Sequence, residues 1–212
     1  MAPGFLVALE GLDGSGKSTA ARSVAIRLRS EGRSVTLTRE PGGTELGGEI
    51  RSLIFANAEA MSTTTELLLM CADRAEHVRS VIGPALENGD IVITDRFFAS
   101  TIAYQGYGGG LDLETVDAAI RIATGGLTPD LTILLDVDLD TAHSRRAEVQ
   151  ADVNALDTRH EGFRLRVRDG YRALASGATD WVTIDAGAPP DSVADSAYTA
   201  IFTALELRRS AR

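Results

Sequence analysis

Short apolar runs alternate along the chain with longer stretches in which apolar positions recur every three or four residues. Five runs have strand length: residues 5–9, 34–38, 91–94, 131–137 and 181–184. Helical spacing covers residues 17–30, 65–87, 112–124, 140–175 and 191–207. Turn residues punctuate the alternation, with Asn88-Gly89-Asp90 before the third run and Pro129-Asp130 before the fourth. Strands that alternate with helices predict an α/β domain with a mainly parallel sheet of five strands. There is no internal repeat and no low-complexity linker, so residues 1–212 read as one domain. The stretch 140–175 stands apart. It carries Arg145, Arg146, Arg159, Arg164, Arg166, Arg168 and Arg172, and its middle, 148–157, has weak periodicity. Two helical pieces joined by a mobile stretch are expected there, although a solvated helical face has the same composition.

Composition narrows the function classes. The chain has 212 residues, 44% hydrophobic and 24% charged, which is ordinary globular usage. Its single cysteine, Cys71, allows no internal disulfide and fits a reducing, cytoplasmic setting. No apolar stretch approaches the ~20 residues of a membrane helix. The N-terminus has neither a basic region nor a long apolar core, so no secretory signal is expected. A net charge of -9 argues against binding nucleic acid as a polyanion. One detail of the charge matters more: of 21 basic residues, only Lys17 is a lysine.

Lys17 sits in Gly11-Leu12-Asp13-Gly14-Ser15-Gly16-Lys17-Ser18, a Gly-x-x-x-x-Gly-Lys-Ser loop between a strand and a helix. Such a loop wraps its backbone N–H groups around phosphate, and the helix behind it presents its positive end. The lysine reaches the β- and γ-phosphates and the serine hydroxyl suits Mg²⁺. Asp13 places a carboxylate inside this loop, where it needs a cation or a sugar hydroxyl opposite. The motif calls for a nucleoside triphosphate but leaves open what is done with it.

Three further segments bear on that question. Thr38-Arg39-Glu40-Pro41-Gly42-Gly43-Thr44 follows the second strand, and Glu40-Pro41 is a candidate cis bond. On the helix that follows, Met70, Arg74 and His77 share one face. Arg74 suits a base carbonyl or a phosphate, and an exposed helix-edge arginine is the equal alternative. The apolar run 91–94 ends in Asp95-Arg96, a carboxylate for Mg²⁺ beside a guanidinium that can bridge phosphates, and Asp95 also suits a helix N-cap. Ser100 and Tyr104 lie four apart on the next helix.

With Ala72-Asp73-Arg74-Ala75-Glu76-His77-Val78, Ala103-Tyr104-Gln105-Gly106-Tyr107-Gly108, Gly126-Leu127-Thr128-Pro129-Asp130 and Val167-Arg168-Asp169-Gly170-Tyr171, these blocks make the chain resemble the bacterial thymidylate kinases, over residues 5 to about 186. The resemblance implies transfer of the ATP γ-phosphate to dTMP, giving dTDP and ADP on the way to dTTP. It implies a P-loop kinase three-layer fold, a five-stranded parallel sheet flanked by helices with a mobile lid at about 140–162, and a homodimer that uses Mg²⁺. ATP would be held by residues 11–19 (Gly11, Leu12, Asp13, Gly14, Ser15, Gly16, Lys17, Ser18 and Thr19), with Asp185 and Ala186 near the adenine and Ser18 and Asp95 on the metal. For dTMP, Asp13 would meet the sugar, Arg39 and Arg96 the phosphate, Arg74 the base, and Tyr104 the 2′ position. Pro41, Met70, Ser100, Thr101 and Gln105 complete that set. Two departures are visible: Met70 stands where the family usually carries an aromatic residue, and Thr158-Arg159-His160-Glu161 stands for Asp-Arg-x-Glu. The phosphate loop has no arginine between its glycines, so charge over the transferring phosphoryl is expected from Arg159, with Arg146 and Arg145 behind it. Another nucleoside-monophosphate kinase and a non-catalytic regulatory relative are the competing readings. A GTP switch would need an Asn-Lys-x-Asp block, which a chain with one lysine cannot contain.

Overall fold

A computed structural model describes residues 4–148 and 161–210. β1 (Phe5–Glu10) alternates its side chains between two apolar layers, as a central strand covered on both faces must. Phe5, Val7 and Leu9 pack with α1 (Lys17–Ser30) and α9 (Pro190–Ser210). Leu6 and Ala8 face the other way, against Val92, Ile82 and Phe97. β2 (Val35–Arg39), β3 (Ile91–Asp95), β4 (Leu131–Asp136) and β5 (Trp181–Asp185) complete a parallel sheet in the order β2-β3-β1-β4-β5. The five expected strands are present, each within two residues of its expected limits. In register, Arg39 lies beside Asp95, and Asp95 beside Leu9. The carboxyl ends of β1, β2 and β3 therefore open on one edge, where an open parallel sheet binds its ligands.

The helices depart from expectation in instructive ways. α2 (Glu45–Ala56) was not foreseen, because Gly47 and Gly48 dilute its pattern and the Gly-Gly pair before it reads as a turn. Its start is nonetheless well made: the Thr44 hydroxyl accepts from the Gly47 N–H at 2.9 Å. The expected helix 65–87 is three pieces: α3 (Thr63–His77), a wide π-helical turn at Val78–Ile82, and α4 (Gly83–Glu87). Pro84 has no N–H to donate to the preceding turn, and the widening absorbs that gap. A second wide turn, Ile102–Gly108, continues α5 (Phe98–Thr101) ahead of α6 (Leu113–Thr124). The described parts of the arginine-rich region are α7 (Leu139–Glu148) and α8 (Glu161–Ala175). The stretch between them, Arg159 included, lies outside the described residues.

α8 and the second wide turn approach too closely for side chains at two points. A Cβ on Gly108 would stand 2.7–2.8 Å from Phe163 and Val167, and one on Gly170 would stand 2.7–2.8 Å from Cβ, Cγ and Cδ2 of Tyr107. Because the tyrosine atoms met are mostly those nearest its own backbone, no rotamer change relieves the second contact. Gly170→Ala is expected to lower stability by about 1–3 kcal/mol, the usual cost of overpacking, read as a lower denaturant midpoint with an unchanged slope.

Candidate functional site

The phosphate loop leaves β1 and turns into α1 through Gly11, Gly14 and Gly16, at φ 139, 87 and 90°. Two of the three also lack room for a side chain: a Cβ would lie 2.5 Å from the Leu135 carbonyl at Gly11 and 2.3 Å from that of Ala142 at Gly14. Leu12 and Ser15 are buried, and the Ser15 hydroxyl has no hydrogen-bond partner. Lys17 is folded under the loop, its Nζ donating to the carbonyls of Leu12 at 2.8 Å and Gly11 at 3.1 Å. Burial, and then Arg96, lower its pKa to about 8, against the pull of Asp95, Asp13 and Glu10. Ser18 and Thr19 face solvent, and the Ser18 hydroxyl donates to the Asp95 carboxylate. Two hard oxygens that meet beside a phosphate loop suit Mg²⁺, which takes few protein ligands and fills its octahedron with phosphate and water. Among the described residues no group of three His, Cys, Asp or Glu could hold a metal alone.

Arg96 stands at the next strand end with φ 74°, the one positive value outside glycine among the described residues. Its N–H donates to the Leu9 carbonyl, and the Arg96 carbonyl accepts from the Thr94 hydroxyl. The guanidinium donates to Asp13 at 2.5 Å, Ser100 at 2.8 Å, Tyr171 at 2.9 Å and Tyr104 at 3.3 Å. Burial works against its charge, but Asp13, Tyr104, Tyr171 and Asp95 outweigh burial and raise its pKa. Behind it lies Glu10, fully buried, which accepts from the N–H groups of Phe97 and Ser100 and from the hydroxyls of Ser100 and Tyr171. Burial lifts the Glu10 carboxyl above its ordinary value despite these donors and nearby Arg96. Neither Glu10 nor Tyr171 was singled out from sequence. The available signal for Glu10 was a carboxylate closing an otherwise apolar strand directly before the phosphate loop.

The third strand end brings Arg39 out to solvent. Beyond it, Glu40–Pro41 is cis, and the buried Pro41 offers its carbonyl to Arg51 Nη1 at 3.2 Å. Burial and then Arg39 lower the Arg51 pKa, and Asp13, Arg96 and Asp95 are all near enough to affect it. Arg51 thus belongs to the same electrostatic cluster. It went unseen because its helix did.

Arg74 is neither exposed nor on an edge. It is 2% exposed, and donates to Glu40 at 2.8 Å, the Thr101 hydroxyl at 3.0 Å and the Phe97 carbonyl at 3.2 Å. Of its five N–H donors, two beyond these bonds point from the same planar group. Gln105 is buried as well, donating to Glu66 at 2.6 Å. Met70 is partly buried against Ile54 and Ala58, between α2 and α3.

On the far side of the loop, Arg146 lines a pocket with Leu12, Asp13, Tyr104, Phe163 and Arg164. Arg145 is turned away, donating to the Ala186 carbonyl at 2.6 Å. Ala186 is buried, and exposed Asp185 accepts from the Gly187 N–H. Arg159 is not among the described residues. What the site assembles is one phosphate cradle and, about one side chain away through Asp13, a second cationic seat formed by Arg96, Arg51 and Arg39. Such a pair of seats suits transfer of a phosphoryl group between two phosphorylated molecules.

The thymidylate kinase family model matches residues 9–197. Among curated relatives, the thymidylate kinase of Thermomicrobium roseum is 45% identical over 97% of this chain and 98% of its own length. The thymidylate kinase of Leifsonia xyli subsp. xyli is 43% identical, covering 91% of each chain, and that of Desulfovibrio desulfuricans is 42% identical over 96% and 98%.

A pKa of about 8 for Lys17 has a measurable consequence. Above that pH the empty loop holds a neutral amine, and a bound polyphosphate restores the proton. Triphosphate binding near pH 8.5 is therefore expected to take up a proton, and binding near pH 6.5 to take up none at Lys17. Calorimetry in buffers of different ionisation enthalpy reads the uptake, which should vanish in Lys17→Met.

Proposed function

The chain belongs to the thymidylate kinase family, and on that footing we propose that it transfers the γ-phosphoryl group of ATP to dTMP, giving dTDP and ADP. The observation that carries the reading is the Arg96 seat, built for an acceptor that already bears a phosphate and set beside the loop that holds the donor.

In this reading Lys17 leaves the Gly11 and Leu12 carbonyls for the β- and γ-phosphates, and the Ser15 hydroxyl gains a phosphate oxygen as partner. Thr19 and the remaining loop residues hold the donor, with Asp185 and Ala186 by the adenine. The acceptor phosphate takes Arg96 from Asp13, which turns to the sugar hydroxyl. Arg39 and Arg51 add charge at the same place, and Ser100 keeps Arg96 aimed. An acceptor phosphate oxygen attacks the γ-phosphorus while the β–γ bridging oxygen leaves with ADP, a step that needs alignment and counter-charge rather than covalent help. Arg146, and Arg159 in the lid at about 140–162, supply the counter-charge over the moving group. Mg²⁺ would be held by Ser18 and Asp95 and, when bound, neutralises the triphosphate. Arg74 donates to the thymine O4, where cytosine carries a competing donor; Gln105, Thr101 and Pro41 close that pocket, and Met70 gives the ring a soft thioether face. Tyr104 fills the space a 2′-hydroxyl needs. One domain of 212 residues, working in the cytoplasm with Cys71 reduced, completes the reading.

The test is an ATP-coupled assay across dTMP, dUMP, dCMP, dGMP and ribo-TMP. The expected result is preference for dTMP, lost on chelation of divalent cations, with Tyr104→Ala raising the ratio of ribo- to deoxy-monophosphate use. Preference for dCMP or for an unphosphorylated nucleoside would overturn the reading.

A homodimer belongs to the same reading. Leu46 and Leu53, one helical face of α2, are 49% and 50% exposed, and Leu68 on the adjoining α3 is 60% exposed. Apolar groups gathered this way want a cover. Sedimentation of the parent is expected to give twice the 22.4 kDa chain mass, and Leu53→Glu to shift the equilibrium to the single chain.

A further inference from the structure

Four ionisable residues lie buried together beneath the loop that joins β2 to α2: Glu40, Asp73, Arg74 and His77. Through them α3 is tied to the end of β2 and to that loop. Glu40 is gripped from both sides, by Arg74 Nε at 2.8 Å and His77 Nδ1 at 2.9 Å. The other nitrogen of His77 meets the Thr38 hydroxyl at 2.6 Å. Asp73 accepts from the Gly42 N–H at 2.9 Å, where the chain has φ 102°. The loop and the first turn of α2 are pressed onto these groups without slack. A Cβ on Gly43 would stand 2.6 Å from the His77 ring, and one on Gly47 would stand 2.4 Å from Asp73 Oδ1.

Apolar side chains would tie a loop to a helix with less desolvation. Asp73 illustrates the penalty: burial raises its carboxyl from 3.8 to about 6, with the Gly42 N–H pulling the other way. A carboxyl whose pKa is raised on folding adds stability below its unfolded value and loses it as pH rises through the folded one, so at neutral pH charged Asp73 weakens the fold. What the charged set supplies instead is direction. Hydrogen bonds fix Thr38, Glu40 and Gly42 on either side of Arg39 and Pro41, and the Pro41 carbonyl in turn receives Arg51.

We propose that Asp73 and His77 are positioning residues for the acceptor phosphate, holding the β2–α2 loop so that Arg39 and Arg51 stand beside Arg96 despite their like charges. The proposal rests on the kinase reading above for the identity of the acceptor, and on the loop geometry for the rest.

The readout is the ratio of dTMP to thymidine affinity, which follows the phosphate seat and not the base pocket or the overall fold. Asp73→Ala is expected to lower that ratio at least tenfold and to raise KM for dTMP accordingly, with KM for ATP within twofold. Asp73→Asn retains an oxygen for the Gly42 N–H; it should restore the ratio and be no less stable than the parent near pH 8. Gly43→Ala pushes the loop off the His77 ring while leaving α3 intact, and should lower the ratio in the same way, so a poorly folding Asp73→Ala does not end the test. A folded Asp73→Ala or Gly43→Ala with an unchanged ratio overturns the proposal, as does Asp73→Asn behaving like Asp73→Ala. Should the parent prefer another monophosphate, the dTMP reading fails by itself, and the ratio is measured with that nucleotide and its nucleoside.

Discussion

A buried guanidinium must keep its charge, and satisfying Arg96 dictates where three separate parts of the chain meet. Asp13 comes from the phosphate loop, Ser100 and Tyr104 from the segment after β3, and Tyr171 from α8. All four of these partners are hydrogen-bonded to one another or to Glu10. No one of them moves without disturbing the rest. Arg96 also holds a left-handed backbone conformation, flanked by hydrogen bonds at its own N–H and carbonyl. Such networks are costly when half satisfied and rigid when complete. Here the rigidity lies beside the phosphate loop, where the proposed reaction needs its alignment.

Much of this was legible in the sequence, for physical reasons that differ by element. The strands could be read because a parallel sheet buries both faces, leaving short apolar runs between turn residues. The phosphate loop could be read because its glycines answer a backbone demand nothing else meets. Ser100 and Tyr104 could be paired from spacing alone, since one helical turn carries both to Arg96. α2 and its Arg51 could not, as two glycines erase the period. Nor could the burial of Arg74: a lone arginine on a helix does not announce the distant Glu40 that pairs with it. The widened turns at 78–82 and 102–108 left no periodic trace, although Gly83-Pro84 hinted at the first.

The charges are sorted by depth. Glu10, Glu40, Glu66 and Asp73 lie fully inside, where Glu40 pairs with Arg74, Glu66 accepts from Gln105 and Asp73 accepts from the Gly42 N–H, while Arg39, Arg51, Arg96 and Lys17 converge on the cleft. A chain of net charge -9 therefore presents a cationic mouth. Local fields of this kind draw phosphorylated small molecules in while the acidic body repels polyanions of larger reach.

The solitary lysine has a further implication, in the chemistry of labelling. Lys17 carries the chain's only ε-amine, so an acylating reagent finds two amines at most, that one and the α-amino group. With its pKa lowered, a substantial part of Lys17 is already nucleophilic near pH 8, yet it is 6% exposed and reached only through the loop. A triphosphate in that loop would both protonate the amine and block the approach. The mass added to the intact protein beyond that of the α-amino group would then count empty phosphate loops, with no reporter group and no engineered residue.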